Sequence, residues 1–283
     1  MTDFHSAEIV KTKAGRQYHI GLAPGEVGNY ILMCGDLDRA RKTAERFERV
    51  RVEKANREYR TYTGSWKGLE LSVMATGMGP DNTEIAIVEL CQIADRPTLV
   101  RIGSSGALKR EIGLGDLIVS TGALRLENTS TYFVSEGYPA VAHHEVVLAL
   151  LESCRRQRLV HHVGVTATAP GFYGAQGRDV PGFPPRFKDL DAELARMNVS
   201  NLEMEASALF TLATFRGLRA GAVCAAYANR PANKFIDAKM KEKAEDACIK
   251  AGMGAIEVLA QMDSARREAK VPHWTPSLGL RRS

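Results

Sequence analysis

Short apolar runs alternate along the chain with stretches whose apolar residues recur every three to four positions, a pattern that predicts an α/β domain. Residues 30–34, 59–63, 69–75, 98–102, 116–121, 164–169 and 219–228 read as strands, because each run is apolar, short and bounded by turn residues. Amphipathic patterns over 37–47, 82–94, 144–155, 205–215 and 239–260 read as helices, several directly following a strand. The order implies a mixed or largely parallel sheet. Two stretches break it: the Gly- and Pro-rich segment 173–186, a candidate substrate loop, and the basic tail 264–283, predicted to be a flexible end. The domain is therefore placed at 1–263.

Composition narrows the possibilities. With 283 residues, 45% hydrophobic and 25% charged, the chain can bury one large core without disulfides or a structural metal. The five cysteines are scattered with no Cys-x-x-Cys pair, which reads as reduced packing residues in a cytoplasmic protein and no metal site. No apolar run reaches the length of a signal peptide or a membrane span, so no membrane partner is expected. The net charge of +5 comes from dispersed Lys and Arg residues, without the aromatic-interleaved basic stripe of a single-strand binder. A small anionic ligand accounts for this excess, and no nucleic-acid partner is expected. Binding through the tail cations Arg266, Arg267, Lys270, Arg281 and Arg282 is the alternative.

Four segments carry candidate chemistry, each with a plain structural alternative. In Cys34-Gly35-Asp36-Leu37-Asp38-Arg39 a glycine and a helix N-terminus can receive an anion, or Asp36 simply caps the helix. Arg101-Ile102-Gly103-Ser104-Ser105-Gly106 places an arginine inside an apolar strand, followed by a turn whose N–H and O–H groups can surround an oxyanion. The alternative is a buried arginine paired with a structural carboxylate. Phe172-Tyr173-Gly174-Ala175-Gln176-Gly177-Arg178 brings together a ring, an amide and a guanidinium that can stack on and hydrogen-bond a planar base, or it is an ordinary Gly-rich turn. In Glu203-Met204-Glu205 a carboxylate can accept vicinal hydroxyls while Met packs on a sugar face, or Glu205 caps the next helix.

Taken in this order, the four segments resemble the nucleoside phosphorylase-I family, and within it the uridine phosphorylases, over roughly residues 18–259. Gly115-Asp116-Leu117-Ile118-Val119 and the run from Arg125 to Ala142 are similar as well. The resemblance implies a single-domain, three-layer α/β/α fold around a central mixed, partly barrel-like sheet. It implies phosphorolysis of a pyrimidine nucleoside, uridine and phosphate giving uracil and ribose 1-phosphate, with phosphate as co-substrate and no cofactor.

Carried over by position, phosphate would be bound by Gly35, Arg39, Arg101 and Ser104, with Arg57 reaching it from a neighbouring subunit. Glu203, Met204 and Glu205 would hold the ribose, and His19 would cross a dimer interface to its 5′-hydroxyl. Phe172, Gln176, Arg178 and Arg230 would hold the base, and Arg178, Arg101 and Arg39 would carry the catalysis. Self-association is thus part of the expectation.

The chain departs from the family pattern at Ser104, where threonine is common, at Leu37, where proline is common, and at Ala175, which replaces a glycine. Gly77-Met78-Gly79-Pro80-Asp81-Asn82 differs further from the usual Gly-x-Gly-x-Pro-Ser of an interface ion site. The rival purine nucleoside phosphorylases place an aspartate after the late strand to protonate the purine. Here that stretch reads Ala226-Tyr227-Ala228-Asn229-Arg230, with no carboxylate, which favours the pyrimidine branch. A catalytically silent nucleoside-binding protein on the same fold is a further alternative.

Overall fold

The computed structural model describes residues 6–279. The N-terminal half contains β1 (Tyr30–Cys34), α1 (Leu37–Ala44), β2 (Arg49–Asn56), β3 (Tyr59–Trp66), β4 (Leu69–Ala75), α2 (Pro80–Leu90), β5 (Thr98–Ala107) and β6 (Leu117–Arg125). There follow β7 (Ala140–Val141), α3 (His144–Arg156), β8 (His161–Thr168), α4 (Leu190–Arg196), β9 (Val199–Glu203), α5 (Ala206–Phe215), β10 (Arg219–Asn229), β11 (Lys234–Phe235) and α6 (Ala238–Ala269).

One mixed sheet joins them. β10, β6, β8, β9 and β5 pair in turn, and β5 pairs back to β10, which closes a five-stranded barrel. From β5 the sheet runs outward through parallel β1 and β4 and antiparallel β3 to its edge at β2. The expected α/β fold with a partly barrel-like sheet is the one observed.

The period of two along each strand sorts its side chains onto two faces. Leu32, Cys34, Val100, Ile102, Val223 and Ala225 join a core with α1, α3 and α6, whereas Ile31, Met33, Leu99, Ala220 and Ala222 join another with α2 and α5. Both faces being covered, central strands such as β1 read as unbroken apolar runs. These are the three layers.

Several boundaries differ from expectation. Segment 103–106 is not a turn: β5 runs on to Ala107, because Gly103 to Ala107 pair with β10 and the last two residues also with β9. The tail does not begin at Ser264, since α6 continues to Ala269, carried by charged contacts such as Arg266 to Asp263. Beyond it the chain packs back on the domain: Trp274 is buried, and its backbone N–H donates to Glu145 at 3.0 Å. Arg281 and Arg282 lie outside the described residues. Segment 173–186 holds a short 3-10 turn at Gly174–Gln176 and an isolated bridge between Val180 and Phe183, and helix α4 follows where none is predicted.

Candidate active site

The parallel strands deliver their C-terminal ends to one mouth. Gly35 after β1, Gly77 after β4, Ser104 to Gly106 on β5, Tyr227 and Ala228 on β10, and the β9–α5 junction line a cavity of about 530 Å³. Its walls also contain Phe172, Gln176 and Arg178 from the loop after β8. Ten of the expected site residues therefore meet in a single cavity: Gly35, Arg39, Arg101, Ser104, Phe172, Gln176, Arg178, Glu203, Met204 and Glu205.

At its floor Arg101 is fully enclosed. Its Nε donates to Glu203 at 2.9 Å, and its Nη2 is paired with Glu205. The structural alternative for this arginine, a buried pairing with carboxylates, is the one observed, and both partners come from the Glu203-Met204-Glu205 segment. A Cβ at Gly103 would stand 2.9 Å from Arg101 Nη2 and 2.9 Å from Cys224 Sγ, so only glycine lets the guanidinium fold back along its own strand. Burial works against the Arg101 charge, but Glu205 and Glu203 more than offset it, and the guanidinium stays firmly protonated.

The two carboxylates have different duties. Glu203 accepts from Arg101, from Thr168 Oγ1 at 2.6 Å and from the backbone N–H groups of Glu205 and Ala206 at 2.9 and 3.0 Å. It is the cap of α5, a task that the sequence had left to Glu205, which makes no side-chain cap bond. With its lone pairs engaged, Glu203 positions Arg101 and the helix. Glu205 accepts one backbone N–H, from Gly79 at 2.7 Å, and lines the cavity. Burial, opposed by Arg101 and reinforced by Glu203, raises its pKa above the ordinary carboxylate value.

Arg39 enters from α1, whose N-terminus Asp36 caps by accepting from the Asp38 N–H at 2.8 Å. Its Nε donates to Glu245 at 3.1 Å, Nη1 to the Ile102 carbonyl at 3.2 Å and Nη2 to the Tyr227 hydroxyl at 3.3 Å. One bond from each nitrogen holds the fork, and one N–H on each Nη remains for a ligand. A Cβ at Gly35 would meet the Gly77 carbonyl at 3.1 Å, so the backbone there closes tightly on the cavity. Ser105 also lines the cavity, and its buried hydroxyl has no partner among the described residues.

At the opposite pole Arg178 stacks on Phe172, its Cζ 3.8 Å from the ring centre, and donates to the Phe172 carbonyl and to Gln176 Oε1. With Oε1 engaged by Arg178, the Gln176 Nε2 is the group left to donate to a ligand. Arg230 lies behind rather than in the cavity wall, donating to the Gln176 carbonyl at 3.1 Å and pairing with Asp191 at 3.4 Å. Burial and the neighbouring Arg230 charge push the Arg178 guanidinium down to about 10.

Besides Arg230, two expected residues are outside this cavity. Arg57 donates to the Tyr18 hydroxyl at 2.6 Å and lies over that ring, and His19 Nδ1 is 2.7 Å from Glu89 Oε1. They share one neighbourhood, since Asn56 donates to the carbonyls of Tyr18 and His19 at 2.9 and 2.7 Å. Conversely, Glu58, Met78, Tyr227, Phe235 and Lys241 line the cavity without having been singled out. Only the bulge between Ala226 and Ala228 that turns Tyr227 inward could have drawn notice, and bulges leave little trace in sequence. Among the described residues, no group of three or more His, Cys, Asp or Glu could hold a metal ion.

Fold and site together define a class: residues 29–260 match the Phosphorylase superfamily, and the chain belongs to it. Over 97% of its length it is 43% identical to the uridine phosphorylase of Thermococcus kodakarensis, of which 98% is covered. It is 34% identical to the uridine phosphorylase of Escherichia coli, over 82% of this chain and 94% of that one. Among solved structures it is similar to a Trypanosoma brucei nucleoside phosphorylase described as showing uridine phosphorylase activity. That likeness has a TM-score of 0.82 and 25% identity, over 87% of this chain and 98% of the other.

Proposed function

We propose that this chain catalyses the phosphorolysis of uridine, converting uridine and phosphate to uracil and ribose 1-phosphate. One observation carries the reading: a single cavity holds Arg39, Arg101 and Ser104 at one pole, Glu205 and Met204 between, and Phe172, Gln176 and Arg178 at the other. The likeness to uridine phosphorylases over nearly the whole chain supports the same substrate.

Phosphate seated on Arg39, Arg101 and Ser104 faces the anomeric carbon of a sugar whose 2′-hydroxyl donates to Glu205. As the glycosidic bond breaks, positive charge grows on the sugar beside that dianion, which both stabilises it and attacks. The electron pair leaves with uracil, whose carbonyl oxygens take up negative charge opposite Arg178 and the Gln176 amide. No proton donor is required. A purine would need one, and in place of that acid stands Arg230, a cation that donates to the Gln176 carbonyl at 3.1 Å, while the preceding Asn229 is spent on the backbone, its Nδ2 donating to the carbonyls of Lys109 at 3.0 Å and Ile112 at 2.8 Å. Phosphate is the sole co-substrate in this scheme, and no resident cofactor takes part.

The active unit is a homo-oligomer in which His19 and Arg57 of one copy complete the cavity of another. Their position outside their own cavity, with His19 beside the exposed apolar Ile9 and Val88, supports this. No described helix is long and apolar enough to cross a membrane, and five free cysteines suit a cytoplasmic location.

The test is the fall in ultraviolet absorbance of uridine, and separately of inosine, with and without phosphate. Phosphate-dependent uracil release is the expected result. Cleavage of inosine alone would move the chain to the purine branch, cleavage without phosphate would make it a hydrolase, and inactivity on both would leave a binding protein.

A further inference from the structure

His19 is held on several sides. Asn56 ties down its carbonyl, the adjoining Ile20 and Leu22 are completely buried, and Tyr18 stands edge-on with ring centres 4.9 Å apart. From α2, Glu89 accepts the backbone N–H of His19 at 3.0 Å and of Ile20 at 2.8 Å, and its Oε1 lies 2.7 Å from His19 Nδ1. A carboxylate this well supplied with donors is an acceptor only, so the proton in the short contact belongs to Nδ1. Nε2 is the nitrogen left for a ligand. In the neutral ring it carries a lone pair, which accepts a hydroxyl proton.

We propose that Glu89 is a positioning residue for His19: it fixes the Nδ1–H tautomer and the ring plane, so that Nε2 accepts the 5′-hydroxyl of a nucleoside bound in a neighbouring copy. This rests on the oligomeric reading above. It also defines the substrate at that end as a free primary alcohol. A 5′-deoxy sugar offers no donor, and a 5′-phosphate would bring anionic oxygens to a ring backed by the carboxylates of Glu84 and Glu89. Glu89 never meets the substrate in this reading, and the Arg57 guanidinium is engaged over the Tyr18 ring.

Glu89→Gln tests it, with uridine and 5′-deoxyuridine compared and the change repeated on a His19→Ala background. The variant keeps a carbonyl oxygen for the backbone, but its amide can present an N–H to the ring. The expected result is a KM for uridine raised roughly three- to tenfold, the worth of one hydrogen bond. The kcat should be little changed, the KM for 5′-deoxyuridine unaltered, and no further loss should appear on the His19→Ala background. In ¹⁵N spectra near neutral pH, His19 Nε2 should resonate as an unprotonated nitrogen in the parent and shift toward the protonated range in the variant. Equal losses on both substrates, full additivity with His19→Ala, or an Nε2–H tautomer in the parent would each overturn the proposal. If the chain turned over neither nucleoside, the functional reading would fail, while the spectra would still decide the tautomer.

Discussion

The two poles of the cavity are built differently. At the pole proposed to take phosphate and ribose, Arg101 and Glu203 lie on paired strands, and Glu205 lies at the start of α5; their charges are buried and paired with one another. At the base pole, Phe172, Gln176 and Arg178 sit on a loop with one short turn, held by the stack of Arg178 on Phe172 and the bond from Arg230. Phe172 is 44% exposed. Charge in the first pole is part of what holds the fold together, whereas charge in the second can be removed with little else disturbed.

Substitutions can break this contrast. The largest effect is expected from Arg101→Ala, which leaves two carboxylates buried without a cation. Stability should fall by about 3–5 kcal/mol, the cost of removing one partner of a buried pair, and thermal unfolding alongside the uridine assay will show activity and fold failing together. Arg178→Ala should lower kcat roughly 10²- to 10³-fold, the range for one charge-stabilising donor, with an unfolding midpoint close to the parent's. A comparable drop in stability there would erase the distinction between the poles.

The smallest effect concerns Glu205, and it depends on pH. The unfolded chain loses that proton near the ordinary value of 4.5, whereas burial and Glu203 make the folded chain hold it to higher pH. Stability from this group is therefore fully present below 4.5 and declines as pH rises through the folded value. Glu205→Gln should flatten that decline, measured by denaturant unfolding across the acid range. An unchanged profile would mean that Arg101 holds the carboxylate ionised at every pH.

Much of this was legible because burial on both faces writes itself plainly: β1 and β4 end where their apolar runs end. β2, Arg-Val-Arg-Val-Glu-Lys-Ala-Asn, was missed since it lies at an edge and keeps mostly exposed, charged side chains. β9 was missed for another reason: its polar Ser200 and Asn201 are buried, and the Asn201 side-chain carbonyl accepts from Thr166 on the adjacent strand β8 at 2.8 Å. The same holds at the site. Arg101 and the residues that resemble a known motif could be named in advance, but the exchange of duties between Glu203 and Glu205 could not. Which carboxylate takes the helix N–H groups is decided by a strand end meeting a helix start, a three-dimensional fact.

Closing the barrel also governs how copies of this chain can associate. Once β5 has turned back onto β10, the open ends of the sheet are the two-residue β11 and β2, studded with Arg49, Arg51, Glu53 and Lys54. The charges that line β2 disfavour the pairing of a further strand along that edge. In the proposed oligomer it is side chains, His19 and Arg57, that one copy would lend to the cavity of another.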